Sequence, residues 1–242
     1  MDISVVIPAK NEEGNILPLV AEIVDALHGR ASFEIIYIDD GSDDATYQTL
    51  TRLSENTQCN LVVIKHRVSV GQSTAIFTGV NHAKGKLIIT MDADGQNDPA
   101  DIPKMLEAAN AFTDSEHFCI AGYRKNRKDT PWKRFQSRIA NGVRSKILRD
   151  NTPDTGCGLK IIPRKTFLQL PYFDHIHRFL PALIKRLGGK IVVVEVNHRD
   201  RCHGVSKYNM LGRLGAGVVD LIGVMWLLRR NKLAQIVPND DI

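Results

Sequence analysis

Short apolar runs alternate with longer amphipathic stretches through the first half of the chain. Runs rich in β-branched residues predict strands, at residues 3–7, 34–38, 61–64, 86–91 and 118–121. Apolar residues at helical spacing predict helices between them, at residues 14–27, 44–56, 71–83 and 101–112. The first helix carries a stripe expected to face the core, made of Leu17, Val20, Ile23, Val24 and Leu27. This alternation predicts an α/β fold with a mostly parallel sheet and helices on both faces.

The pattern changes after Arg124. A basic amphipathic helix is predicted at 132–149, followed by a strand at 159–162, a helix at 178–187, a strand at 190–196 and a last helix at 209–230. No low-complexity linker divides the 242 residues. We therefore expect one α/β domain at 1–210, extended by a C-terminal helix and tail at 211–242.

Charge is distributed unevenly along the chain. Residues 124–149 contain ten Lys and Arg against one acid, a local charge of +9, whereas the whole chain carries +5 and the remainder about −4. Such a basic segment is expected to face an anionic partner. The four cysteines form no C-x-x-C pair, which favours reduced thiols in the cytosol.

The strand at 86–91 leads into two carboxylates and a carboxamide, at Asp92, Asp94 and Gln96. Ligands of open α/β sheets bind at the carboxyl ends of the strands. Two carboxylates and an amide form a hard, all-oxygen set that suits Mg²⁺ or Mn²⁺ with a phosphorylated ligand. The alternative for an isolated Asp-x-Asp is an acidic loop with no ligand.

Two further strand ends are polar, at residues 8–13 and 39–44. Three acidic strand ends on one edge would repel one another without a cation or hydrogen-bond donors, and a nucleotide–metal complex supplies both. Residues 39–44 are also compatible with an Asx-turn that leads into a helix N-cap. Neither G-x-G-x-x-G after the first strand nor G-x-x-x-x-G-K-[ST] occurs, which disfavours dinucleotide oxidoreductases and P-loop enzymes.

These motifs, in this order, resemble the family 2 glycosyltransferases of GT-A fold. Within that family the chain is similar to the dolichol-phosphate mannosyltransferase-like, polyprenyl-phosphate glycosyltransferase branch. The resemblance covers roughly residues 3 to 210. The matching segments are Val6-Ile7-Pro8-Ala9-Lys10-Asn11-Glu12, Ile38-Asp39-Asp40-Gly41-Ser42, Met91-Asp92-Ala93-Asp94-Gly95-Gln96, Gly122-Tyr123-Arg124 and Arg201-Cys202-His203-Gly204-Val205-Ser206-Lys207.

The resemblance implies a donor site for a GDP- or UDP-sugar. It implies that the nucleoside pocket is lined by Pro8, Lys10, Glu12, Ile38 and Asp40. It implies metal ligation of Mg²⁺ or Mn²⁺ by Asp92, Asp94 and Gln96, with the Ala93 backbone beside the sugar nucleotide. It implies that the diphosphate or the sugar is contacted by Arg124, Arg201 and Lys207. It also implies that catalysis depends on Asp94, Arg124 and Arg201. Cations at these positions would stabilise charge on the departing diphosphate.

A hydroxyl acceptor would need a general base, whereas a lipid phosphate arrives ionised and needs a cationic dock. In the resembling family the helix after the Gly-x-Arg motif serves the acceptor. In this chain the dock is expected from Lys133, Arg134 and Arg138, of which Arg138 matches a basic position of the family. We therefore expect a metal-dependent, inverting transfer of a sugar to a polyprenyl phosphate.

The location and the partners follow from the same features. The N-terminus lacks the basic region of a signal peptide, and the apolar stretch 218–228 is too short for a bilayer span. We expect a peripheral enzyme at the cytoplasmic face of the membrane. The last helix either packs on the core or meets the membrane, a small membrane partner or a second copy of the chain.

Two other functions remain open. The acceptor could be a soluble saccharide, or residues 124–149 could serve a nucleic-acid-binding module. Acidic strand ends would repel nucleic acid, so we expect no nucleic-acid partner.

Overall fold

Seven strands form one sheet in the part of the chain that the structure describes. The structure is a computed structural model and describes residues 1–57, 59–113, 116–125, 142, 144–145, 147–150, 152–201 and 210–230, with only the helical backbone for 210–216. The strands are β1 (Ile3–Ala9), β2 (Phe33–Asp39), β3 (Leu61–Lys65), β4 (Leu87–Thr90), β5 (Phe118–Tyr123), β6 (Lys160–Pro163) and β7 (Lys190–Glu195). Their order in the sheet is β3-β2-β1-β4-β6-β5-β7.

Helices cover both faces of this sheet. They are α1 (Ile16–Leu27), α2 (Thr46–Asn56), α3 (Gln72–His82), α4 (Ile102–Ala109), α5 (Arg164–Leu168), α6 (Leu180–Arg186) and α7 (Met210–Arg229). Short 3-10 turns lie at Glu13–Asn15, Pro99–Asp101 and Ile176–Arg178. The predicted α/β fold with a mostly parallel sheet is confirmed.

The strand register brings the polar strand ends to one edge. β1 pairs in parallel with β2, so that Ala9 lies opposite Asp39, and in parallel with β4, so that Val6 lies opposite Thr90. Because parallel strands end at the same edge, the segments that follow β1, β2 and β4 meet there.

The insertion of β6 between β4 and β5 is a feature that the alternating pattern did not predict. β6 runs antiparallel to both neighbours, with Lys160 opposite Thr90. An antiparallel strand begins where its parallel neighbours end. The loop that precedes β6 therefore lies at the carboxyl end of β4, beside the polar strand ends.

The core has two halves, one on each face of the sheet. Successive residues of β1 point to opposite faces, and Val5 joins the half under α1 whereas Val6 joins the half under α3. The predicted stripe of α1 was wrong at Leu17, which is 57% exposed. The buried face instead includes Ile16, which is the first residue of α1, and Leu19.

Helix α7 carries apolar side chains on two opposite faces. Val224 is buried in the second core half. On the other side, exposed apolar side chains form a stripe, which consists of Val218, Val219, Ile222 and Trp226. Among the helices of the described residues, none combines the length and apolarity needed to cross a membrane. The division of the chain at residue 210 stays a prediction.

Candidate active site

Asp94 and Arg201 form an ion pair at the carboxyl edge of the sheet. An Nη2 hydrogen of Arg201 is donated to Asp94 Oδ2 across 2.6 Å. The other oxygen, Oδ1, accepts the backbone N–H of Gln96 at 3.1 Å. Only 12% of the Asp94 side chain is exposed, so the pair is partly desolvated and stronger than a surface pair. Two residues 107 positions apart in the sequence therefore meet at this edge of the sheet.

Glu12 belongs to the same charged cluster. Burial raises the pKa of Glu12, the hydrogen bond from Asn15 and the charge of Arg201 oppose that rise, and Asp94 adds to it. The Asn15 side chain donates to Glu12 Oε2 across 2.6 Å. Glu12, Asp94 and Arg201 therefore form one electrostatic unit that combines the end of β1 with the segment after β4.

Asp92 is the most perturbed acid of the site. Burial raises its pKa to about 6, with a further contribution from the charge of Asp94, while Lys160 and Arg124 act in the opposite direction. Its Oδ1 accepts a hydrogen bond from Gln72 Nε2 at 2.8 Å. Burial and the neighbouring charge of Asp94 both disfavour the ionised form of Asp92, and a bound cation would relieve that cost.

The loop before β6 forms the wall against which Asp92 packs. A Cβ on Gly158 would overlap the Asp92 carboxylate, so any larger residue there would displace that carboxylate. The Gly158 carbonyl accepts a hydrogen bond from Thr90 Oγ1 at 2.7 Å, which ties the loop to β4. The buried Lys160 ammonium donates to the carbonyls of Thr155 and Cys157. These bonds hold the loop against the end of β4, beside the Asp92 carboxylate.

Arg124 is anchored by a buried carboxylate. Its Nε and Nη2 donate to the two oxygens of Asp154 across 2.7 and 2.9 Å, and the side chains are 9% and 4% exposed. Burial alone would lower the pKa of Arg124, but the bidentate pair with Asp154 outweighs it and raises that pKa. Arg124 also lies close enough to Asp92 to feel its charge. Its contact with a diphosphate or a sugar stays a prediction.

Asp40, which follows β2, already accepts four hydrogen bonds. His66 Nδ1 and the Val70 N–H reach Oδ1 at 2.8 and 3.0 Å, and the Ser69 hydroxyl and the Gly71 N–H reach Oδ2 at 2.8 and 2.9 Å. Burial tends to raise the pKa of Asp40, but the bonds from His66 and the loop prevail and hold it below its ordinary value. Asp40 thus organises the loop after β3, and its contact with a nucleoside stays a prediction.

The remaining predicted donor residues are spread over the same edge. Pro8 lies opposite Ile38 in the β1–β2 register, and Ile38 is fully buried in the core. Lys10 is exposed, and Ala93 is 5% exposed between the two aspartates. Their contacts with a nucleotide stay predictions. Four predicted residues lie outside the described residues, namely Lys133, Arg134, Arg138 and Lys207.

The donor set fits a hard divalent cation. Asp92, Asp94 and Gln96 offer oxygen ligands, and the pKa of Asp92 is raised chiefly by burial, with a further contribution from the charge of Asp94. Among the described residues, no group of three or more His, Cys, Asp and Glu could hold a metal ion. The predicted set has two carboxylates and one amide, so a phosphorylated ligand or water would have to complete it.

The sequence analysis missed several residues of this site. They are Gln72 and Lys160, which act on Asp92 or its loop, and His66 and Asp154, which hold Asp40 and Arg124. A signal was present for some of them, because polar residues next to glycine follow β3 and precede β6. Only the insertion of β6 beside β4 brings Asp154 and Lys160 to the site.

Residues 4–170 match the model of the family described as glycosyl transferase family 2. The chain belongs to this family. As a family 2 glycosyltransferase it is 34% identical over 233 residues to a dodecaprenyl-phosphate galacturonate synthase of Rhizobium johnstonii, which covers 95% of this chain and 68% of the relative. An undecaprenyl-phosphate 4-deoxy-4-formamido-L-arabinose transferase of Edwardsiella ictaluri is 31% identical over 210 residues, or 86% of this chain and 63% of the relative. This chain thus spans about two thirds of the length of these curated relatives.

Solved structures show the same fold. A mannosyltransferase of Pyrobaculum calidifontis in complex with GDP-mannose and Mn²⁺ aligns with a TM-score of 0.69 at 18% identity, over 96% of this chain and 65% of that one. Glucosyl-3-phosphoglycerate synthase of Mycobacterium tuberculosis, in complex with Mn²⁺, UDP-glucose and phosphoglyceric acid, aligns with a TM-score of 0.68 at 19% identity, over 96% and 81%. At these identities the likeness shows the GT-A fold.

Proposed function

We propose that this protein transfers a sugar from a nucleoside diphosphate sugar to a polyprenyl phosphate, with Mg²⁺ or Mn²⁺ held by Asp92, Asp94 and Gln96. The observation that carries the proposal is the cluster at the carboxyl end of β4. There, two mutually repelling carboxylates lie beside the Arg201 guanidinium and the buried Arg124. The names of the curated relatives, which act on polyprenyl phosphates, support the acceptor class.

The side chains of the site have distinct tasks in such a transfer. Arg201 would leave Asp94 and donate to the diphosphate, where its charge opposes the charge that develops on the leaving group. Arg124, held rigidly by Asp154, would contribute a second positive charge without a change of position. The chemistry that a divalent cation supplies there is neutralisation of the same developing charge.

The acceptor that we propose needs no proton removed, because the names of the curated relatives specify a polyprenyl phosphate. A phosphate oxygen of the lipid would form the new bond to the anomeric carbon, while the bond to the diphosphate breaks on the opposite face and takes the electron pair with it. The configuration of the sugar is thereby inverted. We assign the docking of this acceptor phosphate to Lys133, Arg134 and Arg138, on the basis of the sequence.

The proposal is tested with the purified full chain, Mn²⁺ and undecaprenyl phosphate in detergent, against a panel of UDP- and GDP-sugars. We expect one donor to release its nucleoside diphosphate only when lipid and metal are both present, with the label moving into the lipid fraction. Asp94→Asn should abolish the reaction, whereas the exposed Asp43→Asn serves as the matched control. Equal turnover with soluble saccharides in place of lipid would instead establish the soluble-acceptor function.

We also propose that the exposed stripe of α7 lies against the membrane surface at the cytoplasmic face. Its four apolar side chains are 52% to 70% exposed, and Arg229 and Arg230 follow at the end of the helix. Apolar burial combined with attraction of basic residues to anionic lipids is typical of peripheral helices.

Flotation with vesicles of phosphatidylglycerol and phosphatidylethanolamine tests this placement across a salt series. Ile222→Glu should remove the binding that persists at high salt. Leu17→Glu, which alters an apolar residue of similar exposure on α1, should leave it unchanged. Equal flotation of both variants would contradict the placement, and a dimer that Ile222→Glu converts to a monomer would assign the stripe to a second copy of the chain.

A further inference from the structure

Two consecutive residues at the start of α3 join the acidic ends of β2 and β4. The Gly71 N–H donates to Asp40 Oδ2 at 2.9 Å. The next side chain, that of Gln72, donates to Asp92 Oδ1 at 2.8 Å. Gly71 and Gln72, which are neighbours in the chain, therefore connect the predicted nucleoside end of the site with its predicted metal end.

The position of Gly71 and Gln72 depends on Asp40. A carboxylate offers about four acceptor positions, and His66, Ser69, Val70 and Gly71 use four of them here. A further donor that approaches Asp40 must displace one of these. Three of the four come from the loop that leads directly into Gln72, so a change at Asp40 shifts the backbone from which the Gln72 side chain projects.

The other side of Gln72 is held in place. Ser73 is 1% exposed, and its hydroxyl lies 2.7 Å from His177 Nδ1. Gly71 itself adopts a positive φ of 96°, a conformation that glycine tolerates and other residues rarely adopt. Gln72 is thus placed between a fixed helix start and a backbone turn whose anchor is Asp40.

We propose that Gln72 is a positioning residue for the Asp92 carboxylate, and that Gly71 and Gln72 together make metal binding at Asp92 depend on the state of Asp40. The inference rests on the proposed function, because it takes Asp92 to be a metal ligand. Hydrogen bonds to ligating carboxylates fix their orientation, and their loss typically costs about 10- to 100-fold in metal affinity.

The first test measures Mn²⁺ affinity by calorimetry on the full chain without nucleotide. Gln72→Met, which keeps the size but cannot donate, should weaken Mn²⁺ binding by about 10-fold. Asn81→Ala alters a residue at the far end of the same helix, where it bonds to the Phe77 carbonyl, and should have no effect on Mn²⁺ binding. The melting temperature without metal separates a loss of positioning from a loss of folding.

The second test is a double-mutant cycle between Asp40→Asn and Gln72→Met, again on Mn²⁺ affinity. Asparagine offers one acceptor oxygen and cannot hold all four donors. Asp40→Asn should therefore weaken Mn²⁺ binding in the wild-type background and much less in the Gln72→Met background. The removed charge of Asp40 acts through space and would weaken binding equally in both backgrounds.

The outcomes separate this inference from the function on which it rests. If wild-type protein binds neither Mn²⁺ nor, in its presence, UDP or GDP, the proposed function fails. If wild-type protein binds Mn²⁺ but Gln72→Met binds it equally well, Gln72 does not position Asp92. If the two substitutions are additive, the connection through Gly71 and Gln72 is absent.

Discussion

The guanidinium of Arg201 lies 2.6 Å from Asp94 Oδ2, on an oxygen that the predicted metal site requires. Arg201 thus lies at the predicted metal end of the site as an internal cation. A metal ion and a diphosphate that arrive together would separate the pair, because the metal takes the carboxylate and the diphosphate takes the guanidinium.

Substitution of Arg201 should therefore affect metal and nucleotide in opposite directions. Arg201→Met frees Asp94, so we expect Mn²⁺ alone to bind several-fold tighter and UDP or GDP with Mn²⁺ to bind at least about 10-fold weaker, since a charge-assisted bond is worth roughly 1.5–3 kcal/mol. Calorimetric titration measures both affinities. Arg164→Met is the matched control, because the Arg164 side chain donates to the carbonyls of Val80 and Asn81 at the far end of α3. Equal Mn²⁺ affinity of both variants would refute the idea that the metal replaces Arg201 at Asp94.

Because the pKa of Asp92 is raised in the fold, the free energy of unfolding should depend on pH. Its pKa in the fold is raised from 3.8 to about 6, chiefly by burial. The folded metal-free protein therefore binds this proton more tightly than the unfolded chain, and its stability falls as pH rises through that interval. Asp92→Asn mimics the neutral acid and should stabilise the metal-free protein at pH 7.5, by at most ~3 kcal/mol.

Urea unfolding at two pH values checks this expectation. Near pH 4 the wild-type Asp92 is itself protonated in the fold, so the advantage of Asp92→Asn should shrink. Mn²⁺ binding by wild-type protein should weaken as pH falls below about 6, since the metal competes with the proton. An equal gain of stability at both pH values would show that the charge of Asp92 is not its cause.

Removal of Asp154 alone should destabilise the fold far more than removal of both Arg124 and Asp154. Asp154→Ala leaves a buried guanidinium without its carboxylate, which typically costs about 3–5 kcal/mol of unfolding free energy. The double variant Arg124→Met with Asp154→Leu removes both charges and should recover most of that loss. Chemical denaturation measures all three proteins. A small effect of Asp154→Ala alone would mean that solvent or another acid compensates Arg124.

Gly158 should be required for the metal site rather than for the fold as a whole. Gly158→Ala places a methyl group on the Asp92 carboxylate and should displace it, with loss of most Mn²⁺ affinity. Gly223→Ala adds a methyl group in open space on α7 and should be neutral or stabilising by up to about 1 kcal/mol. Unchanged Mn²⁺ affinity in Gly158→Ala would remove Asp92 from the metal site.

The sequence by itself determined most elements of the fold, though not the short helix α5, and the sheet edge at which the predicted site lies. Apolar runs such as 3–7 and 34–38 are short and β-branched because they are buried on both faces of a sheet, and this is a local signal. The acids after β2 and β4 follow directly in the chain, so their shared edge needed only the inference that the strands run parallel. Asp92 and Asp94 were predicted as site residues in this way, and Arg201 was predicted through its family motif.

Only the tertiary structure decided which partners these residues have. No local pattern says that β6 enters the sheet between β4 and β5, because strand order depends on the packing of the whole chain. That insertion brings Asp154 to Arg124 and the loop at Gly158 to Asp92. The same holds for Gln72, whose contact with Asp92 crosses 20 positions of sequence and exists because α3 begins at the edge where β4 ends.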